Sequence, residues 1–138
     1  MRKSMMLVWM VWLGSVSAWA CTNLMVTKGA SLDGSTMITY SADSHTLYGE
    51  LVFLPRGVHA EGALVDVHDW DSGKYLGKIR QAGRTYQVVG NMNEFQLAIG
   101  ETTFGGREEL QDPKGGVDYG SRMSLALQRA KTAREAIK

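Results

Sequence analysis

Cysteine is almost absent from this chain: Cys21 is the only one in 138 residues. A single cysteine excludes an internal disulfide, so packing alone must hold the core. It leaves three roles for Cys21: an intermolecular link, a buried small hydrophobe or a reactive thiol. An excess of one charge is also missing, with 15 Lys and Arg against 14 Asp and Glu. That balance gives no basic field for nucleic acid or for an anionic membrane surface. The three histidines, His45, His59 and His68, lack the close His or Cys pairing of a zinc site. Asp66, Asp69 and Asp71 have neither EF-hand spacing nor its terminal Glu, and read as a polar loop. Gly105-Gly106 and Gly115-Gly116 fit no phosphate loop. Asp43-Ser44-His45 sets triad residue types side by side, but adjacency in sequence is not triad geometry. No internal repeat or low-complexity segment is present.

What is there begins with an apolar leader. Arg2 and Lys3 form a basic start, Leu7 to Leu13 an apolar centre, and Gly14 and Ser15 break it. Ala18 and Ala20 then supply the small −3 and −1 residues of a signal-peptidase site. The apolar run falls short of the ~20 residues of a membrane span. Residues 1–20 are therefore expected to be a signal peptide, and the protein to be exported to periplasm or medium. A lipoprotein would want an aliphatic residue at −3 and a small one at −2, where this chain has Ala18 and Trp19. Removing the leader takes three of the four Trp and four of the eight Met, leaving 13 basic against 14 acidic residues. No membrane contact is expected after cleavage, and the oligomeric state is left open.

Strand patterns follow at residues 23–27, 36–40, 50–54, 63–67, 85–89 and 96–100, rich in β-branched and aromatic residues. Asp33-Gly34 marks a hairpin between the first two. Residues 69–78 read as a polar connection around Trp70 and Tyr75, and residues 105–116 as an irregular loop. From Asp118 onward, Met123, Leu127, Ala130 and Ile137 recur at helical spacing, with Asp118 or Ser121 as cap. One long helix to the end of the chain is expected. It covers only part of one sheet face. The predicted class is α+β, and residues 21–138 are expected to be the N-terminal portion of a larger domain, inert when isolated.

Leader removal after Ala20 would make Cys21 the first residue, with its thiol beside its own α-amine. An α-amine ordinarily titrates at ~7.7–8.0, so it can serve as base while the thiol serves as nucleophile. An oxyanion donor and a group orienting the amine are still needed. Cys-Thr-Asn-Leu-Met-Val-Thr-Lys-Gly-Ala-Ser-x-Asp-Gly-Ser-Thr from Cys21, followed by Asp43-Ser44, resembles the start of the C69 peptidases. These are dipeptidases of the N-terminal nucleophile (Ntn) hydrolase superfamily. The stretches from Gly90 to Thr103 and from Leu127 to Ala136 resemble the same family in the same order.

The resemblance implies an αββα four-layer sandwich with antiparallel sheets, incomplete in this chain. It implies hydrolysis of dipeptides through an acyl-enzyme on Cys21, with no metal and no cofactor. Asp43 matches the acidic residue that contacts the nucleophile's amine. Tyr40 departs from the pattern, since many relatives carry Arg there, and Tyr brings no permanent positive charge. Asn91, Asn93, Glu101 and Thr102 lie on or beside the strand expected to face the site. Tyr40, Asn91, Glu101 and Thr102 are candidates for substrate binding, and Asn93 for the oxyanion donor; Asn91-x-Asn93-Glu94 also reads as a plain turn. Two other readings fit the same residues. One is an exported, non-catalytic β-rich binding domain or inactive relative; the other is an Ntn amidohydrolase acting on a non-peptide amide.

Overall fold

The computed structural model describes residues 21–42, 49–102, 106–110, 112 and 115–138. The leader and the Asp43-Ser44-His45 run lie outside these. Among the described residues the class is α+β: four small antiparallel sheets and two helices.

The expected first hairpin is present. Strands β1 (Thr22–Val26) and β2 (Met37–Ser41) pair antiparallel, Asn23 opposite Tyr40 and Met25 opposite Ile38. Between them Gly34 takes φ 76°, and Asp33 accepts from the Ser35 amide, as an Asp-Gly turn requires. Alternation along the strands puts Cys21, Asn23 and Tyr40 on one face.

The later strands are shorter than their patterns suggest. Residues 50–54 give only β3 (Phe53–Leu54), and β4 (Gly57–Val58) follows Pro55. Strand β5 (Leu64–His68) pairs with β6 (Tyr75–Arg80), which corrects the expected polar connection over 69–78. The true turn is confined to residues 69–74. There the Asp69 carboxylate accepts from the Ser72 amide and hydroxyl, while the Asp69 amide donates to the Lys74 carbonyl. Residues 85–89 divide into β7 (Arg84–Thr85), paired with β4, and β8 (Val88–Val89), paired with β3. Strand β9 (Met92–Asn93) completes the sheet of order β3-β8-β9.

Residues 96–100 do not form the expected strand. Gln96 is left-handed at φ 63°, and only an isolated bridge joins Met92 to Ala98. The cause is Asn93. Its side-chain oxygen accepts from the amides of Phe95 and Leu97, folding residues 93–97 into a tight turn.

The expected long helix is two. After a one-turn 3₁₀ helix at Glu108–Leu110, α1 (Tyr119–Arg129) begins at the Asp118 cap, whose carboxylate accepts from the Gly120 and Ser121 amides. The chain turns extended at Ala130, and α2 (Ala133–Ile137) restarts under Thr132. Thr132 accepts from the Glu135 amide, and the Glu135 carboxylate accepts from the Lys131 amide. This is a near relative of the capping box. At the start of α1, a Cβ on Gly120 would overlap the Trp70 indole, so glycine lets the helix seat there.

The core gathers where α1 crosses the β3-β8-β9 sheet. Val88, Leu97, Leu127 and Ala130 are buried together, with Leu54, Ile99 and Ala136 packed around them. Asn93 sits inside this cluster at 5 % exposure and donates to the carbonyls of Leu127 and Ala130, at 2.8 and 2.7 Å. Both amide hydrogens thus satisfy carbonyls at the C-terminal end of α1 that the helix cannot.

Candidate active site

Cys21 stands at the head of β1, and its position is set by pairing with β2 and by the segment 100–102. Thr102 Oγ1 donates to the Cys21 carbonyl at 3.4 Å. Asn23 Nδ2 donates to the Glu101 carbonyl at 2.6 Å. These two contacts tie the start of β1 to Glu101 and Thr102, eighty residues on. The approach is close because position 100 is glycine. A Cβ there would lie 2.8 Å from Asn23 Oδ1 and 2.9 Å from Ile38 Cδ1.

The Glu101 side chain then enters the Cys21 environment. Its Oε2 accepts from the Tyr40 hydroxyl at 2.7 Å and lies 4.0 Å from Cys21 Sγ. Burial pushes the Tyr40 phenol well above its ordinary value, and the hydrogen bond to the Glu101 carboxylate and that group's charge push it further. Tyr40 therefore remains a neutral donor over ordinary pH. It fixes the direction of the Glu101 carboxylate, and it does not act as a charge beside the thiol.

Of the residues singled out from sequence, the fold brings Cys21, Tyr40, Glu101 and Thr102 together. Asn91 lies behind them, sharing with Tyr40, Ile38 and Gly100 a cavity of about 280 Å³. Its Nδ2 donates to the Ile99 carbonyl, holding the segment that leads to Glu101. Asp43 lies outside the described residues. Asn93 does not join the cluster. Both its amide hydrogens go to the end of α1 and its oxygen to the 93–97 turn, so no donor remains for an oxyanion. The plain-turn reading of Asn91-x-Asn93-Glu94 is not realised as such either: Met92 and Asn93 form β9, and the tight turn falls at residues 93–97.

Sequence reasoning passed over Asn23. The signal was modest but present: an amide side chain two residues after Cys21 in an otherwise apolar strand must find a partner on the same face. A second omission is the cavity of about 600 Å³ beside Glu101, walled by residues 97–102, α1 and α2.

A partly buried thiol, a carboxylate oriented by a phenol and two backbone ties at one strand end can support nucleophilic chemistry on a carbonyl. The model of peptidase family C69 matches residues 20–54 and 51–138. The chain belongs to peptidase family C69. Comparison with curated proteins and with solved structures gave no match. For this C69 chain, the family match extends over both halves of the site, the Cys21 hairpin and the Glu101 segment. Among the described residues, no helix is long and apolar enough to cross a membrane.

Proposed function

We propose that this protein is an exported cysteine dipeptidase of the Ntn type, activated when the leader is removed ahead of Cys21. The observation that carries the reading is the position of Cys21 within the family-matched region: immediately ahead of strand β1, 4.0 Å from the oriented Glu101 carboxylate. The leader pattern supports export. Once exposed, the α-amine of Cys21 takes the thiol proton, directly or through a water. The thiolate then adds to the carbonyl of the substrate's first residue. The tetrahedral species collapses to a thioester as the C–N bond breaks, and the ammonium returns its proton to the departing amine. Water, deprotonated by the same amine, hydrolyses the thioester and restores the thiol. No step calls on a metal or cofactor.

The same proposal includes the αββα sandwich. Leu24 and Met25 are 66 % and 78 % exposed on opposite faces of β1, and Met37 and Ile38 continue both faces on β2. A two-stranded hairpin with two apolar faces is marginal in water by itself. Layers packed on both sides would bury them. These exposed faces also favour the narrower reading that residues 21–138 alone are inert.

The test uses the full-length exported protein. N-terminal sequencing should return Cys21 first, and Cys21→Ala should lose dipeptide hydrolysis completely, by about 10³-fold or more. Capping the α-amine should silence the native enzyme equally. A different first residue, or turnover by the alanine variant, would sink the mechanism.

A further inference from the structure

The cavity of about 600 Å³ next to Glu101 is of a size that holds small ligands. Its wall is mostly aliphatic, including Leu97, Ile99, Met123 and Ile137. Two charged residues interrupt that wall among the described residues, Glu101 and Arg122, and they are opposite in sign. Glu101 stands at the Cys21 side, its Oε2 held by Tyr40 and 4.0 Å from Sγ. Arg122 belongs to the first turn of α1, on a different element.

The position of Glu101 has a consequence for substrate. In the first residue of a peptide, the α-ammonium is two bonds from the carbonyl carbon that Sγ would attack. A carboxylate 4.0 Å from that sulfur is within hydrogen-bonding reach of such an ammonium. Blocking the nitrogen removes the charge and adds bulk against a fixed acid. A guanidinium presents the fork that pairs with a terminal carboxylate, and in a two-residue substrate that carboxylate lies one residue beyond the scissile bond. The aliphatic residues that line the cavity along with these two charges suit apolar side chains.

We propose that the cavity is a two-residue ruler: Glu101 binds the substrate's ammonium, Arg122 its terminal carboxylate, and the aliphatic wall its side chains. The ruler rests on Cys21 being the nucleophile, and it explains from the chain's own residues why cleavage would be limited to dipeptides with both ends uncapped.

Binding is measured separately from turnover. The full-length processed protein carrying Cys21→Ala is titrated calorimetrically with leucyl-leucine, its N-acetyl derivative and its C-terminal amide. Each cap should weaken binding about 10-fold or more, as expected for a lost hydrogen bond to a charged group. Glu101→Gln, which keeps the shape, should make the uncapped and N-acetylated peptides equal while leaving the penalty for amidation. Arg122→Gln should do the reverse. Equal affinity for capped and uncapped peptides overturns the ruler. So does a uniform loss for all three peptides in both variants, which would mark a merely structural role. Turnover by the parent protein is followed in parallel, so a failure of Cys21 chemistry and a failure of the ruler register in different measurements.

Discussion

The Asn93 core and the Cys21 cluster are both built on side chains that bond across long stretches of chain, but to different ends. At Asn93 every hydrogen-bonding group of the amide is used: two hydrogens on the carbonyls of Leu127 and Ala130, and the oxygen on the amides of Phe95 and Leu97. The residue is buried among Val88, Leu97 and Leu127, and nothing is left to offer a ligand. At Cys21 the ties run through backbone atoms, the Glu101 and Cys21 carbonyls, while the Glu101 carboxylate lines a cavity and lies 4.0 Å from the thiol. A fully satisfied polar group makes a fold specific, whereas one held by its backbone keeps its side chain for chemistry.

That contrast is broken most severely at Asn93. Asn93→Ala leaves three buried backbone partners, and the part-buried Phe95 amide, without their bonds at the core. A loss of about 4 kcal/mol of folding stability is expected from denaturant unfolding. Gly100→Ala should act in the opposite region. The added methyl meets two side-chain ends, Asn23 Oδ1 and Ile38 Cδ1, and displaces the Asn23 amide that donates to the Glu101 carbonyl. Stability should fall by about 2 kcal/mol, with dipeptide turnover lost well before the core unfolds. Equal sensitivity of stability and turnover in both variants would erase the distinction between the two regions.

Sequence made one region more legible than the other. The β1–β2 hairpin was readable because Asp33-Gly34 and the alternation around it are local signals, and the Asp118 cap was readable for the same reason. The turn at 93–97 was hidden. Residues 96–100 are apolar and β-prone, and only the long-range choice of Asn93 to bond both its own turn and α1 bends them away from a strand. The break in the long helix had a visible mark, Thr132 three residues before Glu135, which the continuous apolar spacing obscured. Strand β6 was concealed by Gly77 and by Lys78 and Arg80, exposed charged residues on either side of the half-buried Ile79. Within the site, Cys21 was found from cleavage-site register and Glu101 only as one of four neighbours. Asn93 was misassigned because an amide in a family-like motif says nothing about which partners tertiary contacts give it.

A milder change separates the two halves of the Cys21 cluster itself. Tyr40→Phe removes the phenolic donor from Glu101 and leaves the ring in place. The carboxylate keeps its charge but loses its fixed direction, worth about 1.5 kcal/mol for a bond to a charged acceptor. Turnover should drop about 10-fold, with global stability changed by less than about 1 kcal/mol. A Phe variant of full activity would show that orientation of Glu101 is irrelevant. Because the phenol titrates far above its ordinary range, the wild-type rate should show no alkaline step from Tyr40 below about pH 10.

The smallest effect belongs to the start of α1, which borders the site cavity through Tyr119 and Arg122. Burial resists ionisation of Asp118, but hydrogen bonds from Ser121 and Gly120 outweigh it and hold the carboxyl below 3.8. A value lower in the fold than in the unfolded chain means that the ionised cap stabilises fully above the unfolded value. That contribution fades as pH falls through the lower, folded value. Asp118→Ala should therefore lower stability by about 1 kcal/mol at neutral pH, and the gap between variant and parent should narrow as the medium is acidified below 3.8. Thermal melts of both proteins across that range provide the check. A gap that is constant with pH would mean that the cap acts through its shape alone and that ionisation contributes nothing to holding α1 over the cavity.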